Sequence, residues 1–166
     1  MQVETDNMVL FWQNDSIFSN WYQPVTIKFL DIEFKNSEAL FMYLKAKYFK
    51  DEVAMAKVVA DQDPKTVKNI GRTIVGYDDD EWSAIRYSQM TIACYMKFRQ
   101  NTEIGQALMD TGDKILVEAS PYDTVWGIGL RPDDPRALDE ANWYGQNLLG
   151  KALMQVRNSL RNPINV

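Results

Sequence analysis

Hydrophobic spacing changes period along this chain, and the changes divide it into elements. Met8–Trp12 (Met-Val-Leu-Phe-Trp) is a continuous apolar run of strand length, followed by a polar turn over Gln13–Ser16. From Val25 to Phe34 the pattern alternates well enough for a hairpin turning near Leu30-Asp31. The period then becomes helical. Asn36 or Ser37 caps a helix running from Glu38 to Phe49 that is dominated by strong helix formers. A second helix is predicted from Asp51 to Ala60, and Asp63-Pro64 opens a third that stops at Gly71. The long helical pattern Trp82–Gln100 follows the acidic run Asp78-Asp79-Asp80-Glu81, and Asn101-Thr102 restarts a helix to Met109 that Gly112 ends. Lys114–Glu118 is a short strand closing on a carboxylate. Ala119–Ala141 is a long irregular loop with three of the chain's six prolines, and a last helix runs from Asn142 or Trp143 to Arg161. There is no internal repeat. A chain of 166 residues is the size of one domain.

Composition narrows the chemistry. There is no histidine, so neither a Ser-His-Asp or Cys-His relay nor any imidazole general base can be built. The one cysteine, Cys94, sits in an apolar stretch, which excludes zinc clusters and intramolecular disulfides, reads as buried filler, and suits a reducing compartment. A net charge of -5 argues against a broad phosphate-neutralising surface. No run approaches about 18 apolar residues, and Met1–Asp6 lacks the basic-then-apolar order of a signal peptide, so the expectation is cytoplasmic, with no membrane partner. The acidic run at 78–81 reads first as a helix start that suits the dipole; the competing reading is a divalent cation, which takes two or more aspartates.

Three groups of residues remain as candidates. Glu38 and Lys45, seven apart on one helix, lie about 20° apart in azimuth and about 10 Å apart along the axis, so both can face one cleft with Met42 between them. The competing reading is a solvated face with two opposite charges. In Glu118–Gly129, Gly127 and Gly129 follow Trp126: the glycines let backbone approach a ligand closely, the indole offers a flat face, and Asp123 is a candidate acid or base. The alternative is a tight structural turn capped by Asp123. Ser19 and Asn20, and Arg72 after Gly71, are polar groups at element boundaries suited to hydroxyls or phosphate, or simply to turns and caps.

Taken in order, these segments resemble the NADAR family over roughly Leu10 to Leu160. The matching pieces are Phe18-Ser19-Asn20; Ser37-Glu38 with Met42-Tyr43 and Lys45-Ala46; Ile70-Gly71-Arg72; Trp82 with Arg86; Lys97-Phe98 followed by Asn101; Leu116–Asp123; Trp126-Gly127-Ile128-Gly129; Asn142-Trp143 with Gly145; and Asn147–Gly150 before Leu153-Met154 and Arg157. Two positions depart from the pattern: Ala39 stands where many relatives carry histidine or glutamine, and Trp12-Gln13-Asn14 where a tyrosine-arginine element is common.

The resemblance implies an α+β, mostly helical single domain over residues 1–166 with a small antiparallel sheet, which hydrolyses an N-glycosidic bond between a ribose and a base-like amine without cofactor or metal. The substrate it implies is a small ribosyl phosphate, the ribosylamino-pyrimidine phosphates of riboflavin biosynthesis. In other members it is ADP-ribose on guanine in DNA or RNA. It assigns Glu38, Lys45 and Asp123 to catalysis, and Ser19, Asn20, Arg72, Trp82, Glu118, Trp126, Gly127, Gly129 and Asn147 to substrate binding. In the implied chemistry Glu38 stabilises positive charge at the anomeric carbon and activates water, and Lys45 attacks as a Schiff-base nucleophile. Asp123 carries a proton to the leaving amine, the two tryptophans stack on base or sugar, and Arg72 holds phosphate. A non-catalytic ADP-ribose-binding or nucleotide-binding module is the competing class.

Overall fold

The α+β class is observed. The computed structural model describes residues 1–162, in the order β1 (Gln2–Glu4), β2 (Met8–Phe11), β3 (Ile27–Phe29), β4 (Ile32–Phe34), α1 (Ser37–Tyr48), α2 (Glu52–Ala60), α3 (Pro64–Gly71), α4 (Asp79–Gln100), α5 (Thr102–Asp110), β5 (Ile115–Glu118) and α6 (Leu148–Arg161). By internal contacts the chain divides into two compact units: Met1–Tyr22 with the chain from Thr102 onward, and Gln23–Asn101.

In the first unit β2 is central, between β1 and β5, and every one of its residues is buried. The expected sheet is antiparallel, and β1–β2 is; β2 and β5, however, run parallel, Met8 opposite Ile115 and Phe11 opposite Glu118. More than a hundred residues separate those two strands in sequence, so no short hairpin constrains their direction. Met8, Leu10, Val117, Ala119, Ile128 and Leu130 form the core beside this sheet. The last helix begins later than the pattern suggests. Pro135–Leu138 and Glu140–Asn142 are short 3-10 turns, and Asn147 adopts a left-handed backbone (φ 53°) that no α-helix can contain, so α6 starts only at Leu148.

In the second unit Leu30 and Asp31 take positive φ (47° and 61°), making the tight turn between β3 and β4 where the alternation predicted it. The α1 cap is Asn36: its side chain accepts from the Ala39 amide at 2.8 Å and donates to the Gln62 carbonyl at 2.9 Å, so one buried amide joins the helix start to the α2–α3 connection. Helix α1 is apolar nearly all round and is covered by α2, α3 and α4. Of the charges it carries, Glu38 is buried, Lys45 half-buried and Lys47 exposed.

Gly150, in the first turn of α6, lies against β5: a Cβ there would collide with the Leu116 carbonyl and the Asn147 side chain. Gly150→Ala is therefore expected to lower unfolding free energy by about 1–3 kcal/mol, as read from urea denaturation.

Candidate functional site

Two buried or half-buried charges on α1 dominate the second unit. Lys45 is half-buried near the helix end. Its Nζ donates to the Gly71 carbonyl at 2.8 Å and sits 4.4 Å from the Tyr77 ring centre and 5.6 Å from that of Trp82. Burial pushes its pKa below the ordinary lysine value, while Asp79 and then Glu38 pull it back up. Glu38, in the first turn, is 7% exposed, so the pair is not a solvated face. Both side chains belong to a helix whose other faces are occupied, and that explains their burial despite their charge.

Trp82 is also buried. Its ring lies 5.4 Å from Phe41 and 6.3 Å from Phe49, so it is a wall of the lysine's surroundings as well as a candidate stacking surface. Arg72 is exposed just beyond α3, where its Nη1 donates to the Asn69 Oδ1 at 3.4 Å. Asp78 accepts from the Glu81 amide at 2.9 Å as the α4 cap, which is the helix-start reading of the acidic run.

Sequence reasoning passed over two residues here. Tyr77 precedes α4, where no helical spacing ties it to Lys45. Lys97 was legible: the buried face of α4 runs Met90, Ala93, Cys94, Lys97, Phe98, the i, i+3, i+4, i+7, i+8 pattern of an apolar stripe, and a lysine stands in it. Lys97 is completely buried. Its Nζ is 4.9 Å from the Phe98 ring centre, and burial takes its pKa down to about 7 against a small opposing pull from Cys94. Burial likewise pushes the Cys94 thiol up to about 12, with Lys97 lowering it and Glu38 raising it.

The other candidates lie in the first unit. Asn147 is buried and bridges β5 with both ends of its amide, donating to the Leu116 carbonyl at 2.9 Å and accepting from the Glu118 amide at 3.0 Å. Asp123 Oδ1 accepts from the amides of Val125 (2.9 Å) and Trp126 (2.8 Å), which shapes the turn. The loop is then laced to the segment before α6: Gln146 donates to Thr124, Leu148 to Val125 and Leu149 to Trp126. A Cβ at Gly127 would lie 2.9 Å from the carbonyl oxygens of both Asp123 and Glu118, so this glycine serves close packing of the loop on itself. Ser19 is buried and its Oγ accepts from the Trp21 amide; Asn20 beside it is buried too. Glu118 ends β5, with both its amide and its carbonyl engaged. A separate cavity of about 430 Å³, lined by Gln2, Glu4, Asp15, Ser16, Asp110 and Thr111 among others, includes no candidate residue.

The NADAR domain family matches residues 10–161. The chain is 34% identical to the protein called N-glycosidase R617 of Acanthamoeba polyphaga mimivirus, over 93% of this chain and 97% of that protein. It is 31% identical to N-glycosidase Npun_R5314 of Nostoc punctiforme, over 93% and 92%. The solution structure of Escherichia coli YbiA superposes with a TM-score of 0.75 at 26% identity, covering 96% of this chain and 88% of that one.

Two measurements check the buried groups. Cys94 is expected to resist iodoacetamide at pH 8 in the native protein and to react once unfolded, because its thiolate forms only near pH 12. Between about pH 7 and the ordinary lysine value of 10.5 the unfolded chain binds a proton at residue 97 that the folded chain does not. Wild-type stability relative to Lys97→Met should therefore rise with pH across that window and be flat below it, as read from urea unfolding at several pH values.

Proposed function

The chain belongs to the NADAR family, and from that premise we propose that it hydrolyses the bond between a ribosyl anomeric carbon and a base-like amine, with Lys45 as nucleophile and Glu38 as the charged partner. The observation that carries this reading is a half-buried amine and a buried carboxylate, seven residues apart on one covered helix. The two relatives named N-glycosidase support the reaction class.

Ribosylamines open to an imine at C1. The neutral Lys45 amine adds there, the bond from C1 to the base nitrogen breaks, and a proton passes to the leaving amine. The C1–Lys45 Schiff base then takes water, and cleavage of the C1–Nζ bond releases the sugar and restores the amine. Glu38 faces the positive charge that builds at C1 and holds the proton taken from water. Half-burial favours this chemistry by lowering the Lys45 pKa, which makes neutral amine available closer to neutral pH.

A ribosylamino-pyrimidine phosphate is the substrate we propose. The net charge of -5 suits a small anion held by local contacts better than a polyanion. Incubation with this compound should release ribose 5-phosphate, while an ADP-ribosyl-guanine oligonucleotide assayed in parallel tests the larger substrate. Glu38→Gln and Lys45→Ala are each expected to slow turnover at least about 100-fold. A wild-type rate in either variant removes that residue from the mechanism, and turnover of neither compound leaves a binding module.

The pH profile supplies a further check. Activity should fall on the acid side as Lys45 gains its proton, with a midpoint below that of an ordinary lysine.

A further inference from the structure

The surroundings of the Lys45 amine come from four parts of the second unit, and two of its neighbours have no role in the chemistry above. Gly71 at the end of α3 supplies the carbonyl at 2.8 Å, Trp82 of α4 one ring face, and Glu38 of α1 a carboxylate charge. The remaining two are Tyr77, whose ring face is the nearer of the two aromatic faces at 4.4 Å, and Asp79, whose charge favours the ammonium form. They are bonded to each other: the Tyr77 hydroxyl donates to Asp79 Oδ1 at 2.7 Å.

Tyr77 is exposed, yet its position is well determined. Phe49 meets its ring edge-on at 5.4 Å. Asp51 caps α2 through the Ala54 amide with one oxygen and with the other accepts from the Val75 amide at 2.8 Å, which ties down the approach to Tyr77. Gly76 then turns the chain with φ 76°. An exposed aromatic ring oriented by three such supports, with its face toward an ammonium group, exceeds what the packing of the unit requires.

We infer that Tyr77 and Asp79 are the positioning pair for the Lys45 amine: the ring seats the ammonium in the resting enzyme, and Asp79 fixes the ring and sets the charge against which the amine loses its proton. The inference rests on the reading of Lys45 as the nucleophile. The hydrogen bond to Asp79 keeps the Tyr77 phenol protonated, since it raises the phenol's pKa, ahead of burial; Arg86 pulls the other way and Asp78 adds to the rise. The groups acting on Lys45 are thus Asp79 and Glu38, which favour its charged form, and burial, which opposes it.

The test is trapping of the imine formed with ribose 5-phosphate by cyanoborohydride, across pH, with the adduct located by peptide mass. Removing the Asp79 charge lowers the Lys45 pKa, so Asp79→Asn should move the acid limb of trapping down by about half a pH unit or more. Tyr77→Leu should slow trapping at pH 7 about 10-fold or more with little change in sugar affinity, and Tyr77→Phe, which keeps the ring but loses its bond to Asp79, should recover only part of that loss. Thermal melting of each variant shows that the fold is retained. Superimposable profiles for wild type and both Asp79→Asn and Tyr77→Leu, or a shift of the Asp79→Asn limb to higher pH, would overturn the inference. If the wild type forms no adduct at Lys45, the nucleophile reading fails. NMR titration of carbon-13-labelled lysine then decides the pairing without sugar: a lower Lys45 pKa in Asp79→Asn upholds it, and an unchanged one refutes it.

Discussion

A lysine amine that has lost part of its water is the constraint around which the second unit is arranged. Its cationic form survives there because a carbonyl and two ring faces replace part of the missing solvent and the charges of Asp79 and Glu38 favour it. Its neutral form is more accessible than usual because that replacement is incomplete. Helix α1 makes this possible because α2, α3 and α4 cover the face that carries Lys45, while Lys47 on the open side stays in water. The aromatic side chains around it follow from the same need. Tyr77 and Trp82 offer π density to the cation, which aliphatic walls do not, and Phe41 and Phe49 pack against those two rings.

Much of this was legible in the chain. The hairpin turn at Leu30-Asp31, a cap at Asn36 or Ser37, of which Asn36 is the one used, and the boundaries of α2 and α3 followed from local rules, because those elements are decided by residues close in sequence. Three features escaped for the converse reason. Strand β1 has three residues and a single apolar one, too short for any period, and exists because β2 offers it an edge. The late start of α6 depends on the left-handed Asn147, whose conformation is stabilised by hydrogen bonds to a strand some thirty residues earlier. The direction of β5 against β2 is set by tertiary pairing and leaves no local trace.

The candidate site divides similarly. The seven-residue spacing placed Glu38 and Lys45 on one face, and the family resemblance gave that spacing a chemical meaning. Tyr77 could not be found that way, since its relation to Lys45 passes through a turn and not along a helix. In the first unit the 118–129 loop owes its order to its own chain: Asp123 to two amides, Gly127 to two carbonyls, and the following segment to a run of main-chain bonds. Asn147 spans β5 with both ends of one amide, so its contribution to that region comes through the strand it braces.

The parallel pairing of β2 with β5 has a kinetic corollary. Residues 12–117 must be gathered before Phe11 can meet Glu118, and in an unstructured chain that closure carries an entropy cost that grows with the logarithm of the intervening length. The hairpin and helices of 23–101 make a unit with its own internal contacts, and forming it first shortens the effective gap. Assembly order would then run from the middle of the polypeptide outward, with the central sheet closing last.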